Sequence, residues 1–247
     1  MHSADRRIRT GGQRVNAPLL ELRSICAGYG TIEVLHGVDL VVPPSSVVAL
    51  LGPNGAGKTT TLSVACGLIQ PTAGTVLVAG RNVAGVAPEV LARRGLVTIP
   101  EGRGIFPNLT VRENLQMATL AGTRLAAVEE VAYGRFPRLA ERQTQVAGTL
   151  SGGEQQMLAL ARGLAVDPAV LLLDELSMGL APLIVEELYG IVATIARSGT
   201  SILVVEQFAR TVLGVADIAA IMVNGVIRSV GEPASIESEL SSAYLGG

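Results

Sequence analysis

The sequence has 247 residues, of which 49% are hydrophobic and 3% aromatic, which suits one large α/β domain or one domain with an inserted lobe. Its net charge is −2 and no basic stripe runs along it, so nothing favours nucleic acid as a partner. The two cysteines, Cys26 and Cys66, form no metal-type cluster. Because both lie in apolar segments, we expect buried free thiols in a reducing compartment.

The beginning of the chain shows no targeting signal. Residues 1–18 carry four arginines but no apolar stretch, so they are predicted to be a disordered extension rather than a signal peptide. The longest apolar runs fall well short of the ~20 residues that a membrane-spanning helix needs. Any role at a membrane is therefore expected to be exercised from one side.

Hydrophobic patterning predicts the elements in chain order. The predicted strands are Leu19–Ile25, Val34–Val42, Ser46–Leu51, Gly74–Ala79, Leu96–Ile99, Val170–Leu173, Ser201–Val205, Ile218–Val223 and Val226–Val230. The predicted helices are Thr59–Gly67, Pro182–Arg197, a short one at the C-terminus, and those of a strand-free lobe at about Thr110–Thr149. Alternating strands and helices indicate an α/β fold with a mostly parallel sheet and a βαβ ending. We expect one domain, 19–247, in which a helical subdomain of about 105–155 interrupts the core.

A glycine-rich segment between a buried strand and a helix matches the phosphate-loop pattern G-x-x-x-x-G-K-[ST]. Its glycines let backbone N–H groups face phosphates at a helix N-terminus, where the helix dipole favours anions. Lys58, the single lysine of the chain, supplies a positive charge for the β and γ phosphates of ATP, and the Thr59 hydroxyl can bind Mg²⁺. The residues predicted to bind nucleotide here are Gly52, Pro53, Asn54, Gly55, Ala56, Gly57, Lys58, Thr59 and Thr60.

Two adjacent carboxylates end the apolar run LLLDE. Asp174, at the exit of a buried strand beside the phosphate loop, can hold the shell of a magnesium ion through water. Glu175 follows directly and can polarise an attacking water molecule as a general base. The pair predicts ATP hydrolysis with Mg²⁺.

The segment LSGGEQQ predicts a capped helix N-terminus. Ser151 is a favourable N-cap residue, Gly152 and Gly153 expose backbone N–H groups, and Glu154 completes a capping box. A helix cap does not require two glycines followed by Glu-Gln-Gln. This segment lies between GPNGAGKTT and LLLDE, and in that order the three motifs resemble the signature of ABC-type ATPases, from about Leu19 to the C-terminus.

The resemblance implies a P-loop fold of ABC type, with an N-terminal antiparallel β subdomain and an inserted helical lobe. In such ATPases two nucleotide-binding domains meet head to tail, so Ser151, Gly152, Gly153 and Glu154 would serve the ATP held by a partner. It also implies that Tyr29, in AGYG, stacks on the adenine ring.

Three positions depart from the general pattern of ABC ATPases, and a fourth, Leu176, departs from the pattern of the importer subunit described below. Glu101 stands where most relatives place a glutamine between the core and the lobe, and Ala181 replaces an aspartate. Gln207 replaces the histidine that contacts the γ-phosphate, and Leu176 replaces a proline. By position, Glu101 is assigned to catalysis and to the metal, and Gln207 to catalysis.

The segments PEGR, IFPNLTVRENL, MGLAP, VEQ and the terminal AYLGG together resemble the smaller ATPase subunit of bacterial branched-chain amino acid importers. That resemblance implies a second ABC ATPase chain in a heterodimer, transmembrane permease subunits, and indirectly an external substrate-binding protein. It places the chain in the cytoplasm, peripheral on the inner face of the membrane.

Other ATP- or GTP-binding classes fit less well. A GTPase needs a second lysine to read guanine, and a small-molecule kinase does not explain LSGGEQQ. A DNA-repair ABC ATPase needs a long coiled-coil insertion, and a translation-type ABC protein needs two cassettes. Two alternatives stay open: a related urea or amide importer, and a regulatory subunit that holds ATP while its partner does most of the hydrolysis.

Overall fold

A computed structural model describes residues 18–102, 104–207 and 209–245. Apart from Pro18, the predicted N-terminal extension lies outside the described residues, as do the last two glycines of AYLGG. The strands are β1 (Leu20–Tyr29), β2 (Ile32–Val42), β3 (Val47–Leu51), β4 (Ala73–Val78), β5 (Arg81–Asn82), β6 (Leu96–Ile99), β7 (Val170–Asp174), β8 (Ser201–Glu206), β9 (Ile218–Val223) and β10 (Val226–Gly231). The α-helices are α1 (Lys58–Ala65), α2 (Pro88–Arg93), α3 (Val111–Met117), α4 (Leu125–Arg135), α5 (Pro137–Ala140), α6 (Gly152–Leu164), α7 (Pro182–Arg197), α8 (Ala209–Leu213) and α9 (Pro233–Leu245).

The strands form two sheets. The first is antiparallel where β1 pairs with β2 and β4, and has the order β2-β1-β4-β5. The second has the order β10-β9-β3-β8-β7-β6, with parallel pairing from β9 to β6 and antiparallel pairing of β10 with β9. This arrangement confirms the predicted fold class, a mostly parallel sheet with an N-terminal antiparallel sheet.

Strand β3 is buried on both faces, which explains its unbroken apolar sequence. Its odd-numbered residues, such as Ala49, pack in a core with α6, α7 and the helices that lie between β6 and β7. Its even-numbered residues, such as Leu50, pack in a second core with α1 and the antiparallel sheet. Because neighbouring side chains of a strand point to opposite faces, β3 connects the two halves of the protein.

The C-terminal part differs from the predicted βαβ ending. Strand β10 returns antiparallel beside β9 through a two-residue turn at Asn224 and Gly225, which have φ angles of 49° and 74°. Two consecutive positive φ angles fit the type I′ hairpin turn that Asn-Gly favours. The final helix α9 is also longer than expected, with 13 residues.

Strand β1 runs four residues beyond its predicted end at Ile25. The pairing of β1 with β2 shifts in register between Leu22 and Ile25, and Ser24 has a φ of 48°. This irregularity breaks the alternating pattern in the sequence, but pairing resumes and continues to Tyr29 opposite Ile32. Tyr29 therefore lies at the end of a strand and not in a loop.

Three short elements were missed by the sequence analysis: β5, α2 and α8. Helix α2 had a signal, since Pro88 occupies the first helical turn, where proline is favoured. The two cysteines are free, as predicted, with Cys66 buried and Cys26 only partly buried.

Candidate functional site

The phosphate loop follows β3, at the edge where the parallel strands β7 and β8 also end. Ligands of open α/β sheets bind outside these carboxyl ends. Gly57 caps α1 with a φ of 106°, and a Cβ there would lie 2.8 Å from the Leu35 side chain. A Cβ at Gly52 would lie 2.2 Å from the carbonyl oxygen of Met222. Both positions therefore require glycine.

Lys58 is held inside the loop that it belongs to. Its side chain is 4% exposed, and its ammonium group donates hydrogen bonds to the carbonyl oxygens of Gly52 at 2.9 Å and Pro53 at 3.2 Å. Its Nζ also lies 3.7 Å from Oε1 of Glu175. In the described structure the partners of this buried cation are two carbonyls and one carboxylate, so it is placed to receive a polyanion.

Asp174, the last residue of β7, is buried beside the start of α1. The Thr59 hydroxyl donates a hydrogen bond of 3.3 Å to Oδ1 of Asp174. Burial raises the pKa of Asp174 to about 6, and the charges of Glu175 and Glu101 add to this, against the opposing effects of Thr59 and Lys58. A hydroxyl and a carboxylate are oxygen donors of the kind that Mg²⁺ prefers, and a cation there would relieve the repulsion between Asp174 and the neighbouring carboxylates. Thr59 and Asp174 thus suit Mg²⁺, whereas Glu101 acts on Asp174 through its charge and stays a predicted ligand.

Glu175 has an uncommon backbone conformation. Its φ is 47°, in the left-handed region that non-glycine residues rarely adopt, and its N–H donates a hydrogen bond of 2.9 Å to Val205 on β8. Its carboxylate is 12% exposed and faces Lys58. Such strain is found at functional sites when the surrounding structure maintains it.

Tyr29 lies at the rim of the phosphate loop. Its hydroxyl is 3.5 Å from the hydroxyl of Thr60, while 54% of the residue is exposed. The exposed ring is available for stacking with a flat ligand group, and the predicted adenine contact is compatible with this position.

The segment Ser151–Glu154 forms the predicted capping box. The Ser151 hydroxyl accepts a hydrogen bond from Glu154 N–H, and Oε2 of Glu154 accepts one of 2.9 Å from Ser151 N–H. Arg142 forms an ion pair of 2.7 Å with Oε1 of Glu154. Burial acts to raise the pKa of Glu154, but the hydrogen bonds from Ser151 and the charge of Arg142 outweigh it, so the pKa is lowered. The Glu154 carboxylate is therefore ionised and occupied within its own chain.

The structure does not bring this segment to the phosphate loop. Across residues 18–102, 104–207 and 209–245, no hydrogen bond or ion pair links Ser151–Glu154 to residues 52–60. Gly153 instead packs against α7, where a Cβ would lie 2.4 Å from the Ile184 side chain. Within the described residues, the N-terminus of α6 and the phosphate loop are thus two separate local structures.

The positions that depart from the family pattern have clear local environments. Ala181 is the N-cap of α7 and provides no side-chain hydrogen bond, which an aspartate would offer. Leu176 is buried, and its carbonyl oxygen accepts a hydrogen bond of 3.2 Å from the Gln156 side chain. Glu101 is exposed just after β6, and Gln207 is half-buried just after β8.

Sequence reasoning missed a support of the phosphate loop that comes from the β9–β10 turn. Gly225 N–H donates a hydrogen bond of 2.8 Å to the carbonyl oxygen of Ala56, and its own carbonyl accepts one of 2.9 Å from His36 N–H. A Cβ at Gly225 would lie 1.9 Å from the carbonyl oxygen of Val34. The Asn-Gly pair indicated a turn in the sequence. Nothing in the sequence indicated that this turn contacts the phosphate loop, 169 positions earlier.

A cavity of about 370 Å³ lies apart from the phosphate loop, between the sheet and the helices that follow β6. We call it the lobe groove. Its wall is formed by Ala92, Arg93, Val97, Thr98, Ile99, Pro100, Gly104, Met117, Ala118, Ala159, Arg162, Gly163 and Val166. Pro100 and Gly104 flank Glu101, so the groove borders the segment that carries this residue.

Comparison with known proteins agrees with this geometry. The profile of the family described as ABC transporter matches residues 35–177, which include both the phosphate loop and the Asp174-Glu175 pair. The chain belongs to the ABC transporter family. Members of this family hydrolyse ATP, and the chain is an ATP-binding subunit of an ABC transporter. Such ATPases of importers work with membrane permease subunits.

Two relatives and one solved structure show which members of the family this chain resembles. The high-affinity branched-chain amino acid transport ATP-binding protein BraG of Pseudomonas aeruginosa is 39% identical over 93% of this chain and 100% of that protein. The sulfate/thiosulfate import ATP-binding protein CysA of Mycobacterium tuberculosis is 37% identical over 88% of this chain and 62% of that protein. A solved structure of an ATP-binding subunit of an ABC transporter matches with a TM-score of 0.79 and 29% identity, over 90% of this chain and 93% of that one.

No helix in the described part of this ABC ATPase has the length and hydrophobicity needed to cross a membrane.

Replacing Tyr29 with alanine is expected to weaken ATP binding without abolishing it. Loss of a stacking surface costs about 1–3 kcal/mol, which corresponds to about 5- to 150-fold in affinity. Isothermal titration calorimetry of ATP against the purified chain measures this. Tyr29→Phe is the matched control and should bind as the wild type does, because only the long contact with Thr60 is lost. Equal affinity in Tyr29→Ala would remove Tyr29 from the nucleotide site.

Proposed function

We propose that this chain is the ATP-hydrolysing subunit of an importer for branched-chain amino acids, with Mg²⁺ as its cofactor. The observation that carries the proposal is the convergence of Lys58, Thr59, Asp174 and Glu175 at one edge of the sheet. The proposed cargo rests on BraG, whose whole length the chain covers, whereas the chain spans about three fifths of CysA.

Each residue of the site has its own role in the proposed hydrolysis of ATP. Lys58 exchanges its bonds with the loop carbonyls for contacts with the β and γ phosphates, while backbone N–H groups of residues 52–60 surround them. Glu175 accepts a proton from the water that attacks the γ-phosphorus, and a phosphate–ADP bond breaks as the new P–O bond forms. Mg²⁺, held through Thr59, Asp174 and Glu101, would neutralise charge on the phosphates. Gln207 contacts the γ-phosphate as a neutral amide.

We further propose that the complete site requires a second, different ABC ATPase chain. Within the described residues, no hydrogen bond or ion pair joins Ser151–Glu154 to residues 52–60, which supports this, because the glycine N–H groups at the start of α6 would then serve the nucleotide of another molecule. Glu154 acts through Ser151, whose position it fixes. Gln207 favours an unequal pair, in which the partner retains a protonatable residue and the site with Gln207 turns over more slowly.

The lobe groove is proposed to receive a segment of a membrane permease. Its wall combines apolar residues such as Val97 and Met117 with the basic residues Arg93 and Arg162, which suits an amphipathic segment that carries acidic residues. A segment bound there would touch the loop of Glu101, so that binding is coupled to the metal site. With a permease segment bound there, we propose that the chain works in the cytoplasm, on the inner face of the membrane, and that a substrate-binding protein outside acts through the permease.

Isolation of the chain with its native partners tests these proposals. We expect affinity purification from detergent-solubilised membranes of the source cells to recover permease subunits, one further ABC ATPase and an amino-acid-binding protein, identified by mass spectrometry. Met117→Glu should reduce the recovered permease, because it places a charge in the lobe groove. Gln116→Glu, on the exposed side of the same helix, is the matched control.

Recovery of a binding protein for urea or amides would replace the proposed cargo. A complex that contains only copies of this chain would overturn the heterodimer. Permease recovery that is insensitive to Met117→Glu would show that the lobe groove is not the docking site.

A further inference from the structure

The carboxylate of Glu206, outside the predicted site, is 1% exposed at the end of β8. It accepts three hydrogen bonds. Its Oε1 accepts from Ser177 N–H at 2.9 Å and from the Tyr189 hydroxyl at 2.5 Å, and its Oε2 accepts from the Ser177 hydroxyl at 2.8 Å. All three donors are neutral. Burial raises the pKa of Glu206, and the nearby charge of Glu175 raises it further.

Burying a carboxylate among neutral donors is unfavourable in free energy, because desolvation destabilises its charged form. An apolar side chain of similar size would pack at β8 without that cost. The position therefore calls for a role that depends on the three acceptor contacts themselves.

The contacts join the end of β8 to the segment that follows β7, at the edge of the sheet where the phosphate loop lies. Ser177 is two residues after Glu175, in the turn where Met178 N–H donates to the Glu175 carbonyl oxygen at 3.2 Å. Glu206 is bonded covalently to Gln207. Tyr189 lies fully buried on α7, the helix that begins directly after this turn. The Glu206 carboxylate thus holds the turn of Glu175, the proposed general base. It is also next in the chain to Gln207, the residue proposed to contact the γ-phosphate.

We propose that Glu206, through Ser177 and Tyr189, is a positioning residue that fixes Glu175 and Gln207 relative to each other for ATP hydrolysis. The left-handed backbone of Glu175 is maintained from both sides, by its own N–H bond to Val205 and by the anchored Ser177. A displacement of Gln207 towards or away from the γ-phosphate is carried through Glu206 to the turn of Glu175. The inference rests on the proposed roles of these two residues.

Glu206→Gln and Glu206→Leu differ in which of the three hydrogen bonds at this position they can keep, and this difference tests the proposal. In Glu206→Gln, the amide oxygen can accept from Ser177 N–H and Tyr189, while the amide NH₂ donates to the Ser177 hydroxyl, which can also accept. In Glu206→Leu, the volume is kept but all three donors lose their acceptor. The glutamine variant should therefore retain kcat, and the leucine variant should not.

The experiment measures kcat and KM for ATP in the complex isolated from membranes, together with the Tm of each variant. We expect kcat to fall about 10-fold or more in Glu206→Leu and in Tyr189→Phe, with KM unchanged, since misplacement of a reacting group by ~1 Å costs up to 10²-fold. Tyr133→Phe is the matched control: its hydroxyl is buried without a hydrogen-bond partner in the described structure, so kcat should stay constant.

Two results would overturn the inference. One is a Glu206→Leu complex with wild-type kcat. The other is a loss of activity that follows a lowered Tm equally in the leucine and glutamine variants, which indicates a purely structural role. Glu175→Gln is assayed in parallel. If it hydrolyses ATP normally, the proposed function of the site fails as well, whereas an inactive Glu175→Gln beside a fully active Glu206→Leu refutes the role of Glu206 alone.

Discussion

Glu175→Gln is expected to lower the rate of ATP hydrolysis by about 10²–10⁴-fold, the usual contribution of a general base. The amide keeps the size of the side chain but cannot accept the proton of the attacking water. ATP binding should survive, because Lys58 loses only an ion-pair partner at 3.7 Å and keeps its two carbonyl acceptors until phosphate arrives. Phosphate release by the purified complex measures the rate, and calorimetry measures ATP affinity.

The matched control for this variant is Glu186→Gln on the exposed face of α7, which removes the same charge away from the site and should leave hydrolysis unchanged. The variant complex should also accumulate with ATP bound between the two ATPase chains, visible as a larger species in size-exclusion chromatography. Undiminished phosphate release would show that another group activates the water.

Lys58→Ala is expected to weaken ATP binding by about 30- to 4,000-fold, since truncation of a buried, hydrogen-bonded charge costs about 2–5 kcal/mol. The ammonium group is the one positive charge among the buried polar residues of the described structure, and it lies within the phosphate loop. Its removal leaves Glu175 without its ion-pair partner, so the negative charge of Asp174 and Glu175 would oppose the triphosphate directly.

Calorimetry with ATP measures this loss, and a melting curve establishes that the variant is folded. Arg112→Ala is the control: it also removes one cation and one ion pair, with Glu129, but at an exposed position in the helical region. ATP affinity equal to that of the wild type in Lys58→Ala would mean that the triphosphate does not bind in this loop.

Much of the fold and of the candidate site could be predicted from the sequence, because the deciding signals are local. The apolar run of β3, the glycines after it and the start of α1 are contiguous, so their order alone predicts a strand, a phosphate loop and a helix. Helix α7 and strand β9 were predicted with the bounds that the structure has. The capping box at Ser151 was predicted from four residues, since its hydrogen bonds stay within one helical turn.

The N-terminal sheet was harder to predict. Tyr29 lies beyond a register shift in β1, which interrupts the alternating pattern that defines a strand in the sequence. The resemblance to a family located this residue, whereas hydrophobic patterning ended the strand four residues earlier. Only pairing with β2, a tertiary interaction, carries the strand to Tyr29.

Tertiary structure alone decided which distant residues meet. Gly225 supports Ala56, and Glu206 holds Ser177 and Tyr189, across intervals in which no periodic pattern connects the partners. The parallel order of β3, β8 and β7 is the physical reason, because it brings the ends of three separate strands to one edge. The sequence therefore determined which chemical groups this ATPase possesses, and the packing of the sheet determined which of them act together.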